Sequence, residues 1–367
     1  MSSRQKKSRR RFLGAILQCT ASVLTLGLLP SYLVKEIPGS GNSRQGNTGL
    51  RDIFSIKLPE EPTYLELHRS GELKRRGEEL YEMLSDCRLC PRECRVNKMD
   101  GEKGVCQATL KLEVASYHPH FGEERPLVGS KGSGTIFMTN CSMRCVFCIN
   151  WEISQGGMGT RRSIKELANM MLRLQKQGCH NINIVTPTHY SPHIVQALDI
   201  AASKGLRIPL VYNTHGYERV EILRKLDGIV DIYLPDFKYS DPAMAAKLSS
   251  EAEDYPGYAK KALLEMQRQV GVAKPSEDGL MYRGLMIRHL VMPNNVGGSA
   301  EVMEWIARNL PKDTFVNIMS QYRPMYKAED YPEISRRITQ REYKAVVDHA
   351  MKLGLTNLAI QGTNLMV

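Results

Sequence analysis

The sequence predicts an α/β protein in which short strands alternate with amphipathic helices around a parallel sheet. Six apolar runs of strand length follow Gly134, and five helical patterns lie between them. Repeated alternation of this kind implies parallel strands joined by right-handed crossovers. A barrel and an open doubly wound sheet both satisfy the pattern, and both place function at the carboxyl ends of the strands.

The elements can be placed individually from the period of their apolar residues. The predicted strands are 135–139, 182–186, 209–213, 230–235, 285–292 and 315–319. The predicted helices are 164–176, 191–203, 219–225, 258–270 and 300–309, and a further helical pattern covers 63–85. In the pattern at 258–270, apolar side chains recur every three or four residues, which is the period of a helix with one buried face.

Composition and charge restrict the class of protein. A chain of 367 residues with 42% hydrophobic and 24% charged residues can bury one large core and carry a smaller module. The net charge is +11, but six cations fall within the first eleven residues, which leaves 11 − 6 = +5 for the rest. This remaining charge is too dilute for a nucleic-acid-binding face, so we expect no nucleic-acid partner.

The amino-terminal segment has the pattern of a targeting signal. The run SRRRFL at residues 8–13 resembles the twin-arginine export motif, and residues 12–34 are uncharged. About 20 apolar residues can cross a bilayer. Residues 1–34 are therefore predicted to direct the protein to the membrane, as an exported leader or as a retained anchor, although an inactive signal would leave it in the cytoplasm. Residues 35–62, rich in Gly and Ser, are predicted to be a flexible linker.

Seven of the nine cysteines fall into two groups. The first group has the spacing Cys87-x2-Cys90-x3-Cys94-x11-Cys106 in a loop-rich stretch, within a predicted module of residues 63–126. Such clustered spacings indicate metal sites more than a disulfide framework. Four thiolates are a complete ligand set for structural zinc or for an auxiliary [4Fe–4S] cluster, and both remain open, with a disulfide pair as a lesser alternative.

The second group, Cys141-x3-Cys145-x2-Cys148, directly follows the first predicted strand. Three thiolates can hold three corners of a [4Fe–4S] cluster and leave the fourth iron open to a substrate. A zinc site completed by a distant histidine is the alternative.

This cysteine motif, with aromatic Phe147 before its last cysteine, resembles the signature of the radical S-adenosylmethionine (SAM) superfamily. Further segments resemble the pyruvate formate-lyase activating enzyme-like branch: CRLCPRECRVNKMDGEKGVC, SYHPHFGEERPLVG, NIVTPTHYSPHI, VYNTHGYE, DIYLPDFKYSDP, IRHLVMP and SQYRPMYKA. The resemblance implies a partial (β/α)6 radical SAM barrel with a carboxyl-terminal helical extension over residues 127–367, with a [4Fe–4S] cluster and SAM as cofactors. It also implies reductive cleavage of SAM to a 5′-deoxyadenosyl radical.

The resemblance assigns roles to residues at the predicted strand ends. The cofactor-binding candidates are Phe147, Thr186, Thr188, Asn213, Asp236 and Arg288. The catalytic candidates are Lys238, Asp236 and His189. Many superfamily members end the second strand in a Gly-Gly-Glu type motif that receives the SAM amino group. This chain departs from that motif with TPTH at residues 186–189, where Thr hydroxyls and backbone carbonyls could serve instead. A further polar group at 118–124 contains His118, His120, Glu123 and Glu124. It is predicted to be a solvated loop because Pro and Gly punctuate it, with a substrate-facing or metal-ligating group as the alternative.

The same resemblance suggests partners. A true activating enzyme would take an electron from flavodoxin or ferredoxin and generate a radical on a glycyl radical enzyme, or on another protein or peptide. The alternative is an iron–sulfur electron-transfer protein that does not cleave SAM. The repeated strand–helix units argue against it, because electron transfer alone needs no large cavity.

Overall fold

The computed structural model of the protein describes residues 61–361. These residues belong to one compact unit. The predicted signal at 1–34 and nearly all of the predicted linker at 35–62 lie outside the described residues. No helix within residues 61–361 is long and apolar enough to cross a membrane.

Within the described residues, nine strands form one sheet in the order β3-β1-β2-β4-β5-β6-β7-β8-β9. Their bounds are β1 Glu113–His120, β2 Ser133–Met138, β3 Thr160–Arg161, β4 Ile182–Val185, β5 Leu210–Thr214, β6 Ile232–Pro235, β7 Gly284–Leu290, β8 Phe315–Met319 and β9 Leu358–Ile360. The strands from β2 through β4 to β9 run parallel to one another, whereas β1 is antiparallel to β2 and β3. The predicted mixed α/β fold is confirmed, with all six predicted strands in the parallel part of the sheet.

Eleven α-helices lie within residues 61–361. They are α1 Tyr64–Arg69, α2 Glu72–Glu82, α3 Arg125–Val128, α4 Trp151–Ser154, α5 Ile164–Lys176, α6 Ser191–Ser203, α7 Val220–Lys225, α8 Pro242–Leu248, α9 Tyr255–Val270, α10 Ser299–Asn309 and α11 Gln340–Lys352. Helix α5 begins where Ser163 and Glu166 bond each other's backbone N–H in a capping box, and Thr339 and Glu342 start α11 in the same way.

The two faces of the parallel strands bury different partners. On β5, Tyr212 belongs to the large core between sheet and helices, whereas Val211 belongs to a smaller apolar cluster with Leu127 and Phe315. Successive side chains of a strand point to opposite faces. Asn213 therefore shares the inner face of the barrel with Val211, so the inner face becomes polar toward the strand end.

Strand β1 corrects the prediction of a solvated loop around His118 and His120. The strand pairs with β2, with His118 opposite Thr135, and the His118 ring stacks on Phe137 at 5.7 Å between centroids. Strand β3 pairs with Glu113 and Val114 at the start of β1, so within the described residues the outer edge of β1 has no paired strand at Pro119. The proline, which has no backbone N–H to donate, is tolerated at such an edge. Strands β3 and β9 and helices α3, α4 and α8 are likewise absent from the predicted set.

Candidate active site at the strand ends

The three-cysteine loop, residues 141–148, begins at the carboxyl end of β2. Cys145 is buried, whereas Cys141 and Cys148 are partly exposed. The turn requires left-handed backbone at Asn140 and Arg144, where φ is 74° and 47°; asparagine is among the residues that adopt this conformation most readily. The three thiols thus lie at the edge of the sheet where parallel α/β proteins place their chemistry.

Each thiol of the loop has a polar neighbour that can bond a thiolate. The contacts are Met143 N to Cys141 Sγ (3.4 Å), Ser249 Oγ to Cys145 Sγ (3.0 Å) and Ser154 Oγ to Cys148 Sγ (3.3 Å). Burial, with a smaller contribution from Cys145, raises the pKa of Cys141 to about 12. A metal cation would offset this cost because metal ligation requires the thiolate. The donor set therefore fits an iron–sulfur cluster.

Within residues 61–361, no three His, Cys, Asp or Glu side chains converge as ligands of one metal ion. An iron–sulfur cluster makes a different demand on its ligands, because each cysteine thiolate binds a separate iron atom.

Asp236, at the end of β6, binds two cations. Nε of Arg288 donates to Oδ1 at 2.8 Å, and Nζ of Lys238 donates to Oδ2 at 2.6 Å. Nη2 of Arg288 also donates to Oδ1 of Asn213 at 2.6 Å. Burial by itself would raise the pKa of Asp236, but Arg288 and Lys238 outweigh burial and lower this pKa to about 2. The structure thus brings four predicted residues together; Asn213, Asp236, Lys238 and Arg288 are called the strand-end cluster below.

The cysteine loop and the strand-end cluster share one electrostatic environment. Burial raises the pKa of Cys145, and the nearby ammonium of Lys238 partly opposes that rise, whereas Asp236 adds to it. The charges at the end of β6 therefore act on the middle cysteine of the loop.

Two glutamates extend from the β1–β2 connection to the inner face of the barrel. Oε2 of Glu123 lies 3.5 Å from Nη1 of Arg288, and Nδ2 of Asn317 donates to Oε1 of Glu124 at 2.9 Å. Both side chains are largely buried, and burial raises the pKa of Glu123 to about 7. The prediction of a solvated loop is therefore wrong here as well.

Thr186 remains beside the strand-end cluster. Its backbone N–H donates to the carbonyl of Asn213 at 2.9 Å. Its φ is 59°, a left-handed conformation that is costly for a β-branched residue. The strain lies at the position where the resemblance predicts contact with the SAM amino group.

Thr188 and His189 turn away from the strand-end cluster. Oγ1 of Thr188 donates to Oε1 of Glu218 at 2.6 Å, and Nε2 of His189 donates to the carbonyl of Thr139 at 2.8 Å. Both predicted residues are buried. The structure therefore places them behind the cysteine loop, where His189 anchors the backbone just before it.

Phe147 packs under the loop. Its side chain is buried, and its ring lies between Tyr239 and Tyr322, at centroid distances of 6.4 and 6.1 Å. This packing fixes the position of the backbone at Phe147 and therefore of Cys148, the next residue.

A buried polar network supports the loop from below, and sequence reasoning missed it. Nε2 of His215 lies 3.1 Å from Oγ of Ser142 and 3.4 Å from Oγ1 of Thr188, which bonds Glu218. Glu218 is fully buried, and burial raises its pKa to about 7. His215 and Glu218 belong to the segment THGYE at residues 214–218. The sequence of this segment does not show whether its polar residues support the loop or bind a substrate.

The four-cysteine module consists of Cys87, Cys90, Cys94 and Cys106 with the turns between them. Its backbone is held by pairing around Cys87, which donates to Val96 O at 3.1 Å and accepts from Arg95 N at 3.0 Å. Cys87, Cys90 and Cys106 are buried, and none of the four forms a disulfide. The structure thus gives the alternative of a disulfide pair no support.

Two further features of the module concern its cysteines directly. Lys98 is almost completely buried, and its Nζ lies 3.5 Å from Sγ of Cys106. Among the described residues, no carboxylate pairs with this ammonium, so thiolates are its available counter-charge. Gly104 packs so closely on Cys94 that an added Cβ would lie 2.6 Å from Sγ. The module therefore fits an anionic metal–thiolate centre.

A model of the radical SAM superfamily matches residues 135–264. An uncharacterized protein of Methanocaldococcus jannaschii is 33% identical over 283 residues, which cover 74% of this chain and 76% of that protein. A second uncharacterized protein of the same organism is 22% identical over 296 residues, covering 74% of this chain and 82% of that protein.

Two solved structures were also compared with the fold. Streptococcus suis SuiB bound to S-adenosylmethionine has a TM-score of 0.40 and 16% identity, covering 61% of this chain and 48% of SuiB. The chain thus spans about half the length of SuiB. Methylornithine synthase (PylB) has a TM-score of 0.40 and 11% identity, covering 85% of this chain and 87% of that chain.

Proposed function

The chain belongs to the radical SAM superfamily, and from this we propose that its three-cysteine loop and strand-end cluster form one active site for reductive cleavage of SAM. When bound, the [4Fe–4S] cluster supplies the electron that splits SAM into methionine and a 5′-deoxyadenosyl radical. The observation that carries the proposal is the position of three hydrogen-bonded thiols at the end of β2, with Lys238 near the middle one, Cys145.

The residues at the strand ends would bind and orient SAM. Arg288 is the proposed partner of the SAM carboxylate, because a guanidinium forms strong charge-assisted bonds to carboxylates. Asn213, which already bonds Arg288, is proposed to contact the ribose, and Thr186 the amino group. Asp236 holds Arg288 and Lys238 in place. Phe147 supports the backbone of the three-cysteine loop, which would hold the [4Fe–4S] cluster.

The test uses protein without residues 1–34, reconstituted anaerobically with iron and sulfide, reduced with dithionite and mixed with SAM. We expect 5′-deoxyadenosine from the wild type and none from Cys148→Ala. Cys179→Ala is the matched control, because Cys179 is buried and lies outside both cysteine groups; this variant should keep the activity. A reduced cluster at Cys141, Cys145 and Cys148 that yields no 5′-deoxyadenosine would contradict the proposal and favour electron transfer.

We propose a second [4Fe–4S] cluster in the four-cysteine module, with zinc as the alternative. Four thiolates suit either metal, and buried Lys98 supports an anionic centre of either kind. The variant in which Cys141, Cys145 and Cys148 are all alanine leaves the module as the remaining cysteine group in residues 61–361. Iron and sulfide retained by this variant would support the cluster, whereas stoichiometric zinc without sulfide would contradict it.

We propose a glycyl radical enzyme as the macromolecular partner. The support is the similarity of the sequence segments quoted above to the pyruvate formate-lyase activating enzyme-like branch. Reduced, SAM-loaded protein would be mixed with a glycyl radical enzyme, and a glycyl radical signal sought by electron paramagnetic resonance (EPR). Formation of 5′-deoxyadenosine without any glycyl radical would contradict this partner and leave SAM cleavage intact.

We also propose flavodoxin or ferredoxin as the electron donor and a membrane association through residues 1–34. The support for the membrane association is the basic run followed by uncharged residues 12–34. Cell fractionation and external protease treatment of a carboxyl-terminal tag test the location. A soluble protein with its tag protected in intact spheroplasts would contradict both anchoring and export.

A further inference from the structure

Arg92 belongs to the four-cysteine module by sequence, between Cys90 and Cys94, but its side chain bonds outside the module. Its guanidinium donates to three backbone carbonyls: Nε to Ser142 O (3.1 Å), Nη1 to Glu251 O (3.2 Å) and Nη2 to Ser249 O (2.8 Å). The guanidinium carbon also lies 5.4 Å from the centre of the Tyr217 ring. One side chain therefore joins the module to two other loops.

The first of these loops is the three-cysteine loop itself. Ser142 lies between Cys141 and Cys145, so the bond to its carbonyl holds the turn on which these two thiols are presented. Ser142 is also held from the opposite side by His215. The turn is thus clamped between the module and the buried polar network.

The second loop, residues 248–251, contacts the same thiol turn. Leu248 O accepts from Val146 N at 3.0 Å, and Oγ of Ser249 donates to Sγ of Cys145 at 3.0 Å. Ser249 is fully buried, and the Tyr239 hydroxyl bonds its Oγ at 2.9 Å. The hydrogen bond on Cys145 therefore depends on where this loop holds Ser249.

The backbone of the second loop needs external support. Ser250 and Glu251 both have left-handed φ values, 53° and 59°. Neighbouring non-glycine residues in this conformation persist only when their surroundings hold them there. Arg92 bonds the carbonyls on both sides of Ser250, and it supplies that support with a charged donor.

The position of Arg92 depends in turn on the module. Residues 86–112 contain a single 3-10 turn, Lys98–Asp100, and otherwise consist of irregular loops. A metal held by the four cysteines would order such a segment, because metal binding contributes folding free energy. Arg219 also ties the module to the barrel, at Arg88 O (2.9 Å), but it has no hydrogen bond to the cysteine loop.

We propose that Arg92 is a positioning residue through which the metal state of the four-cysteine module controls the hydrogen bond from Ser249 to Cys145. Hydrogen bonds to the sulfur atoms of an iron–sulfur cluster are one of the determinants of its reduction potential. A module without metal releases Arg92, the 248–251 loop relaxes, and the catalytic cluster becomes harder to reduce. The protein then accepts electrons efficiently only when both cysteine groups are filled. The proposal rests on the proposed function only in requiring a cluster at Cys141, Cys145 and Cys148.

The test is a double-mutant cycle on the reconstituted protein, read by EPR-monitored redox titration. The signal of the catalytic cluster is identified as the signal that Cys148→Ala removes, so the readout does not depend on SAM cleavage. Arg92→Met and Cys94→Ala are expected to shift its midpoint potential in the same, negative direction. The double variant should shift no further than either single variant, because both changes act through one route.

Further variants separate this route from general damage to the fold. Arg95→Met is the matched control, since the Arg95 side chain is exposed in the same module and pairs with Asp86; its midpoint should equal that of the wild type. Ser249→Ala should reproduce the shift of Arg92→Met, and Arg92→Lys should lie between Met and wild type. An unchanged midpoint in Arg92→Met, or shifts that add in full with Cys94→Ala, would overturn the proposal. If Arg92→Met or Cys94→Ala loads no catalytic cluster, the test uses Ser249→Ala and Arg92→Lys instead. The proposal then requires that the midpoint potentials of both variants are more negative than that of the wild type.

Discussion

Nε of Arg288 donates to Oδ1 of Asp236 at 2.8 Å, across the bridge that pairs the end of β6 with β7. This bond brings together two charged groups that are 52 positions apart in the chain, on the inner face of the barrel. A buried ion pair of this kind contributes little net stability by its presence, but losing one partner is costly because the other charge stays buried.

Asp236→Asn is therefore expected to destabilise the protein strongly. The substitution leaves Arg288 and Lys238 without their shared counter-charge, and we expect the free energy of unfolding at pH 7 to fall by about 3 kcal/mol. Urea unfolding of the reconstituted protein would measure it. Glu78→Gln is the control, because its exposed pair with Lys74 at 3.9 Å should contribute under about 0.5 kcal/mol. Equal losses in the two variants would contradict the prediction.

Glu218 predicts a pH dependence of stability. Burial raises its folded-state pKa to about 7, from the ordinary value of 4.5 for a glutamate side chain. Between these values the folded protein keeps a proton that the unfolded chain has released, so stability falls as pH rises from about 4.5 to 7. Glu218→Gln keeps the oxygen that accepts from Thr188 and removes this titration. The loss of unfolding free energy between pH 5 and pH 8 should therefore be smaller in Glu218→Gln, by roughly 2 kcal/mol. Identical pH profiles for the two proteins would show that Glu218 does not titrate in this range.

Gly104→Ala tests the close packing of the four-cysteine module. The new Cβ would lie 2.6 Å from Sγ and 2.8 Å from Cβ of Cys94, so Cys94 must move out of the ligand set. We expect the metal of the module to be lost while the catalytic cluster remains, as measured by metal content and EPR. Gly257→Ala, where an added Cβ meets no atom within 4 Å, should retain full metal content. Full retention in Gly104→Ala as well would mean that Cys94 is not a ligand.

Thr186→Asn tests whether backbone strain is retained for function. Asparagine tolerates the left-handed φ of 59° better than a β-branched residue, so we expect the free energy of unfolding to rise by about 1 kcal/mol. If the Thr186 hydroxyl contacts SAM, the same variant should bind SAM more weakly in calorimetry. The exposed Thr160 in extended strand β3 provides a control. Thr160→Asn should not raise the free energy of unfolding. A Thr186→Asn protein with unchanged stability would remove the argument from strain.

Most of the parallel sheet could be predicted from the sequence because its signal is local. Helices α5 and α6 have the predicted bounds, and β8 coincides with the predicted strand at 315–319. In each case the apolar period is a local signal, and α5 also begins at the capping box of Ser163 and Glu166. Strand β1 could not be predicted in this way, because its polar sequence becomes a strand only through pairing with β2. Tertiary context overrides propensity there.

The candidate site divides along the same line. The sequence by itself determined which cysteines form each group, and it placed Asn213, Asp236 and Lys238 at or just after predicted strand ends. These inferences depend on spacings of a few residues and on the rule that parallel strands end at one edge. Only the tertiary structure decided that Glu123 lies beside Arg288, that Thr188 and His189 support the loop from behind, and that Arg92 bonds the loops beside Cys145. The physical reason is that each of these contacts joins segments that are far apart in the chain. The packed core orients the helices and strands and so determines which distant side chains meet. A local sequence pattern contains no information about that orientation.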